Sequence, residues 1–489
     1  MKKHLILFTL MIILLILLPL TGCDSASPVY IINPTPTPEL VLETTSIPYP
    51  TRPAYAPGTL VDYTAQSGDT LQALAARFNC SVAEILEANT FIPGEVTTLP
   101  PGMPMKMPIY YRPLWGTNYQ IIPDSAFIFG PANKDFNTFA FVNSSQGWFK
   151  FYETYSMGRQ LSAAQLILWI AENYSINPKL LLALVEYQKQ ALTDPQRVES
   201  DEETWLGFDD PAYYGVYLQL SYAANLLNDG FYRYLDGDLI SFDHLDGRVE
   251  YTGPWQNAAT VAMQYYFSRQ MDGEDYNQAI GPDGFYRTYA NLFGDPWAGD
   301  EPAIPGSLSQ PYLRLPFASG QTWALTGGPH TGWGNLSPWS AVDFAPPSAA
   351  GGCIPSDLYA VAVADGTVVR TGPGIVVLDL DNDGDERTGW VIFYLHIAEK
   401  DRVVKGTVLQ AGDPIGHPSC EGGKSTGTHI HIARRYNGMW IKADGIISLN
   451  LDGWVAKDGG SPYAGYLVKD DWTVVAKVNP DNASFITAP

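Results

Sequence analysis

The segment Gly427-Thr428-His429-Ile430-His431 constrains this chain more than any other. Alternate residues of a strand point to one face, so His429 and His431 can address one metal ion or one substrate together. An ordinary pair of sheet histidines is the plain alternative. Against it, the chain has only 7 histidines among 489 residues. A third imidazole lies upstream in Tyr394-Leu395-His396, and an isolated acid, Asp343, sits in the apolar stretch Ala341-Val342-Asp343-Phe344. Two or three histidines, one carboxylate and an open position for water make the ligand set of a catalytic zinc site.

These pieces fall in a fixed order with others: Ala364-Asp365-Gly366 before a Val-rich strand, Gly412 and Gly416 before a turn, and Ser425-Thr426-Gly427 before the histidine pair. Over residues 310–445 the pattern resembles the lysostaphin-type (LytM-like) zinc endopeptidases that cut peptide cross-links in peptidoglycan. The resemblance implies a β-rich domain, here taken as 306–460, with a C-terminal extension at 461–489. It implies that His431 and Asp343 hold Zn2+, while His429 and His396 flank the attacking water as base and transition-state stabiliser. One position departs from the family. Its first zinc ligand is a histidine four residues before the aspartate, and Trp339 stands there. His330, thirteen residues before Asp343, is the substitute, carried back to the metal across an insertion. The competing reading is a loop histidine that binds nothing, leaving two protein ligands and a poorly held metal.

The N-terminus places the chain outside the cytoplasm. A short basic start, Met1-Lys2-Lys3-His4, precedes an apolar run from Leu5 to Leu20, and Leu20-Thr21-Gly22-Cys23 ends it. This is a secretory signal over 1–23. It resembles a bacterial lipobox, which implies lipidation of Cys23 and a membrane anchor; an uncleaved signal anchor is the alternative. Residues 24–59 are rich in Pro and Thr, as in Asn33-Pro34-Thr35-Pro36-Thr37-Pro38, a composition that builds no core. Such a stalk reaches as far as ~100 Å at ~3 Å per residue. The net charge of −22 leaves no basic surface for nucleic acid.

Residues 60–110 alternate a strand, two short helices and a strand. Ser67-Gly68-Asp69-Thr70 forms a turn and helix cap before Leu71 to Phe78, and a second helix, Val82 to Ala88, ends at Asn89. The rhythm resembles a βααβ LysM module, whose family binds N-acetylglucosamine-containing glycans. The resemblance implies contacts at Gly68, Asp69, Thr70, Leu71, Asn89, Phe91 and Ile92, each of which also reads as turn or core. Cys80 reads as a small buried residue inside an amphipathic helix.

Residues 119–305 read as helical, with Asn177-Pro178 opening the apolar run Lys179 to Gln188. The phrase resembles the catalytic helix of lysozyme-like transglycosylases, implying an all-α domain. The position of the acid in that pattern is Gln188, which cannot protonate a leaving oxygen, and Glu186 is two positions early. The domain is therefore expected to bind or space glycan without cutting it.

Two features remain. Cys353 and Cys420 both fall in loops of the C-terminal domain and are expected to form a disulfide in an oxidising compartment. Asp379, Asp381, Asp383 and Asp385 alternate before and after Gly384, so a Ca2+-clamped hairpin and a solvated acidic one both fit. The whole reads as a multidomain α+β, membrane-tethered protein of the cell envelope whose partner is peptidoglycan. It is either a zinc peptidase or a catalytically inactive scaffold or activator for another wall hydrolase.

Overall fold

The structure, a computed structural model, describes residues 55–110, 112, 116–156, 158–196, 203–347, 351–354 and 356–489. Cys23, the signal segment and nearly all of the Pro/Thr stretch lie outside the described residues. No helix among the described residues is long and apolar enough to cross a membrane.

The first module is β1 (Thr59–Thr64), α1 (Leu71–Phe78), α2 (Val82–Ala88) and β2 (Pro104–Ile109), with β1 and β2 paired antiparallel from Thr59↔Ile109 to Thr64↔Pro104. Thr70 caps α1 by accepting from the Ala73 N–H, and Ser81 with Glu84 forms a capping box on α2. Both helices are short, so packing rather than propensity holds them: Leu71, Leu74, Phe78, Ile85, Met105 and Met107 form one core. Cys80 is free, half-buried, and sits in the turn between the helices rather than inside one.

The second body contains α3 (Asp124–Phe127), α4 (Thr138–Ser144), β3 (Glu153–Ser156), β4 (Arg159–Ser162), α5 (Ala163–Tyr174) and α6 (Pro178–Lys189). It continues with α7 (Val216–Asp236), β5 (Ser241–Asp243), β6 (Val249–Tyr251), α8 (Ala258–Ser268), α9 (Gly273–Ala279) and α10 (Phe285–Phe293). The two hairpins, β3–β4 and β5–β6, correct the all-α expectation. Gly230 of α7 faces α8, where a Cβ would stand 2.9 Å from the Ala262 Cα, so only glycine permits this approach.

The third body opens with β7 (Thr322–His330), β8 (Ala341–Ala345), β9 (Ala360–Val361), β10 (Gly366–Gly372), β11 (Ile375–Asp379) and β12 (Trp390–Leu395). Then come β13 (Val408–Leu409), β14 (Pro414–Gly416), β15 (Ile430–Tyr436) and β16 (Met439–Trp440). The chain ends with β17 (Asn450–Leu451), β18 (Trp454–Asp458), β19 (Gly465–Lys469), β20 (Trp472–Val475) and β21 (Phe485–Thr487). A nine-stranded sheet runs β13-β10-β11-β12-β15-β8-β7-β21, with β16 beside β15. Strands β17 to β20 form a separate four-stranded sheet. The stretch 461–489 is thus no appendage: it supplies β19, β20 and the edge strand paired to β7.

Alternation along the strands sends side chains to two cores. Val376, Leu378, Ile392, Tyr394, Ile430 and Ile432 fill one with the C-terminal sheet, whereas Ile375, Val377, Val391, Phe393 and Ala433 pack against the helical body. Asp343 and His431, between members of the first set, face the helical side.

Charge joins the bodies as well. Arg77 of α1 donates to Asp69 Oδ1 at 2.7 Å and to the Tyr234 and Leu235 carbonyls near the C-terminus of α7, the negative end of that helix. Across the sheet, Glu386 accepts from Arg370 Nε at 2.6 Å and Arg435 Nη2 at 2.6 Å, while Arg435 also donates to the Glu172 carbonyl of α5. Burial alone would raise the Glu386 carboxyl, yet the two guanidiniums hold it below the usual range. A carboxylate depressed in the folded state stabilises above its unfolded pKa, and that contribution is lost as the pH falls through the folded value. Glu386→Gln should therefore lower the unfolding free energy at neutral pH by about 3–5 kcal/mol. Thermal melts should show the gap from the parent closing below about pH 4.

Candidate metal centre

Three strands deliver the site. In the β15–β8 register His431 stands opposite Asp343, and Leu395 of β12 flanks His431 on its other side. His330 ends β7 opposite Ala341, after two register shifts, at Leu325/Gly327 and Gly327/His330. Such irregularities re-aim a strand end. Gly327 stands opposite Asp343, and a Cβ there would lie 2.5 Å from Asp343 Oδ2. Its missing side chain is the space the carboxylate occupies.

Second nitrogens define the tautomers, because a carbonyl only accepts. His330 Nδ1 lies 2.8 Å from the Gly328 carbonyl and His431 Nε2 lies 3.0 Å from that of Gly332, so both carry hydrogen. In the neutral rings this leaves His330 Nε2 and His431 Nδ1 as lone pairs 2.9 Å apart. Asp343 Oδ1 is 3.3 Å from each, buried and without a hydrogen-bond donor. Two lone pairs and a carboxylate oxygen packed together repel unless a proton or a cation sits among them. Ligand atoms 2.0–2.1 Å from a tetrahedral zinc are about 3.3 Å apart, which these separations approach. The donor set and spacing fit such an ion.

The electrostatics agree. Burial disfavours charge on all three groups, but the facing histidines hold Asp343 well below the ordinary carboxylate range, and Asp343 in turn raises His330. His431 is lowered, chiefly by burial. His429 and His396 stand beside the triangle with ring centroids 4.4 Å apart. His429 Nδ1 faces the Gly427 carbonyl at 2.8 Å, and its Nε2 comes within 3.7 Å of Asp343 Oδ2. His396 Nδ1 faces the Glu421 carbonyl at 2.8 Å, and burial with the neighbouring His429 and His431 pushes its pKa down to about 3. His396 also adopts φ +66°, a left-handed conformation held by the Ser419 N–H on its carbonyl at 2.7 Å.

All five residues singled out from sequence converge. The insertion that separates His330 from Asp343 is braced by the helical body: Asn225 Oδ1 accepts from the Asn335 N–H at 2.9 Å, and a Cβ on Gly334 would collide with that same oxygen. Trp339 points no ligand at the site; its carbonyl accepts from the Ala443 N–H.

One site residue escaped the sequence. Tyr463 stacks on the His330 ring at 4.1 Å, and its loop brackets Pro329 through the Gly328 N–H donating to the Tyr463 carbonyl at 2.8 Å. No motif marks it, and it falls in the stretch read as an extension. Its backbone takes the left-handed region, φ +67°.

Elsewhere the outcome is mixed. Cys353 and Cys420 are joined, S–S 2.08 Å, tying the 351–354 loop to the turn before His429. In the acidic hairpin, Asp385 is held by Arg387 Nε at 2.7 Å and Nη2 at 2.8 Å, which takes it out of any calcium set. Asp379, Asp381 and Asp383 lie within metal-ligand distance of one another, but Asp379 accepts from the Asp381 and Gly384 amides, as a plain hairpin acid does. In the first module Asp69 is buried between Tyr63 and Arg77, Asn89 ties α2 to β2, and Gly68 abuts Leu235. Leu71 and Ile92 belong to the core and Thr70 caps α1, whereas Phe91 is 62% exposed. In α6 the Glu186 carboxylate accepts from the Leu192 N–H and Thr193 hydroxyl, and Gln188 is bound to Tyr266 and Gln270.

Residues 63–108 match the LysM domain family, and residues 120–306 match the N-terminal domain of LasA. Protease LasA of Pseudomonas aeruginosa is 27% identical over 291 residues in one strain and 293 in another. The match covers 56% of this chain and 66% of LasA, so the chain spans just under two thirds of the curated relatives it resembles. Among solved structures, pseudoalterin, an M23 metalloprotease from the deep sea, is 22% identical, with 34% of this chain and 96% of that one covered and a TM-score of 0.29. A zinc-containing peptidase from Vibrio cholerae is 24% identical, covering 30% and 42%, with a TM-score of 0.21.

Gly327→Ala tests the packing of the triangle. The added methyl should displace the Asp343 carboxylate, weakening zinc retention about 10- to 100-fold while circular dichroism stays unchanged. Competition with a chromogenic chelator reads the effect.

Proposed function

We propose that this chain is a cell-envelope zinc metalloendopeptidase that hydrolyses peptide cross-links of peptidoglycan. The observation that carries this is the triangle of bare, buried ligand atoms: His330 Nε2, His431 Nδ1 and Asp343 Oδ1. These residues would hold zinc, and the second nitrogen of each imidazole, donated to a carbonyl, would keep its ligand atom free. When bound, zinc supplies Lewis-acid polarisation of a carbonyl and lowers the pKa of water to about 7.

His429 and His396 do the proton work. Each donates Nδ1–H to a carbonyl and so presents a bare Nε2. Such a nitrogen can take a proton from attacking water and return it to the leaving amine, and once protonated it stabilises the oxyanion. Asp343 Oδ2 lies 3.7 Å from His429 Nε2, which keeps that ring beside the ligand triangle. The disulfide holds the rim on which His429 sits. Similarity to protease LasA supports the reaction class.

The remaining parts deliver the enzyme. Cys23 would anchor the chain by a lipid, and the 63–108 module would hold glycan on the side of the exposed Phe91. The helical body would cut nothing, because Glu186 is spent on backbone and hydroxyl donors and Gln188 cannot act as an acid.

Digestion of purified peptidoglycan followed by mass spectrometry should reveal new amino and carboxyl termini at cross-links and no new reducing ends. His429→Ala should keep its zinc and lose hydrolysis about 10²- to 10⁴-fold. His330→Ala and His431→Ala should lose both. Full zinc content in His330→Ala would overturn the ligand assignment, and reducing ends that vanish on Glu186→Gln would make the helical body a glycosidase.

A further inference from the structure

A second cleft, of about 510 Å³, opens between the first module and the helical body and shares no lining residue with the histidine cluster. Its walls are locked together. Gln66 Nε2 donates to the Trp255 and Gln256 carbonyls, both at 3.2 Å, and the Trp255 indole N–H donates to the Asp62 carbonyl at 3.2 Å. The cleft is therefore preformed rather than assembled by a ligand.

Its lining has a narrow chemistry. Asp124, Asp300 and Glu301 contribute carboxylates, and no lysine, arginine or histidine lines it. Asp62, at the edge, is paired with Lys106 at 2.5 Å, but no cation among the described residues pairs with the other three. Asp124 is partly buried; desolvation, with the charge of Asp300 adding, raises its pKa to about 6 despite the Ala259 and Asn257 donors. Two half-buried indoles, Trp255 and Trp297, also line the cleft; the Trp297 backbone N–H donates to Asp295 Oδ1, while its indole N–H is bound to no described residue. Asn257 on the same wall is 6% exposed; its Nδ2 donates to the Ile122 carbonyl and Asp124 Oδ1, and its Oδ1 has no donor.

A ligand suited to these groups carries a positive charge for the carboxylates, an apolar face for an indole, a donor for Asn257 and an acceptor for the Trp297 indole N–H. Anionic sugars and peptide carboxylates are repelled. We propose that this cleft binds an amino sugar with a free amine, a glucosamine unit of a glycan strand. The ammonium meets Asp124 and Asp300, a ring face lies on Trp297, and the hydroxyls serve the amide and indole groups. This site is independent of the peptidase reading and of the Phe91 side of the first module.

Calorimetric titration of the full-length Phe91→Ala variant, which disables the glycan surface of the first module, with a glucosamine tetramer and, separately, with an N-acetylglucosamine tetramer tests it. The glucosamine tetramer should bind at least about tenfold more tightly, because acetylation removes the charge. Trp297→Ala and Asp300→Asn should each weaken that binding about tenfold, the latter keeping a side chain able to accept from Ser125. Trp472→Ala, which removes an exposed indole outside the cleft, should change nothing. Equal affinity for the two tetramers, no binding of the glucosamine tetramer, unchanged affinity in Trp297→Ala or Asp300→Asn, or loss in Trp472→Ala would each overturn the proposal.

Discussion

The pairing of β15 with β8 is the constraint on which the rest depends. Side chains alternate along a strand, so a slip of one residue would send His431 into the apolar core beneath Ile430 and Ile432 and move Asp343 away from it. The native register is held from both faces. Val342, Phe344, Ile430 and Ile432 are committed to one core and Ala341 and Ala433 to the other, so a slipped pairing would drive the polar residues into the purely apolar core and misfill both cores. Two polar side chains on neighbouring strands are thereby forced to face each other in a buried place, a costly arrangement that a shared cation would relieve.

The helical body does more than cover the sheet. Its α7 supplies Asn225, which grips the loop between His330 and Asp343, and Asp229, whose Oδ1 accepts from the Ser337 N–H at 3.3 Å. A ring train of Trp169, Trp333 and Phe393, with centroid steps of 6.0 and 5.9 Å, links α5 through that loop to β12. The position of His330 thus depends on a loop whose shape is set by another body. On the far side the Tyr463 loop stacks on the same imidazole, so His330 is held between the helical body's loop and the C-terminal sheet.

What the sequence disclosed follows from the range of the interactions. The His-Ile-His pair and Asp343 were legible because strand alternation is local, and the capped helices of the first module because Thr70, Ser81 and Glu84 act within a turn. His330 was legible only as a candidate: its return to Asp343 depends on two register shifts that no periodicity reports. Tyr463 was invisible, since its contact joins residues more than a hundred apart. The acidic hairpin stayed open between two readings for the same reason; counting carboxylates says nothing of Arg387, which takes Asp385 out. The glycan residues carried over at Gly68, Asp69 and Asn89 are ones whose side chains or close packing serve the module and its docking onto α7. The C-terminal extension became part of the sheet because β21 pairs with β7, a partner distant in sequence.

Zinc K-edge absorption spectroscopy on the purified full chain addresses the central claim most directly. The account predicts one zinc per chain in a shell of two imidazoles and light oxygen donors, with one imidazole lost from the shell in His330→Ala. A chain that holds no zinc after dialysis, or a shell containing sulfur or a single imidazole, would contradict it.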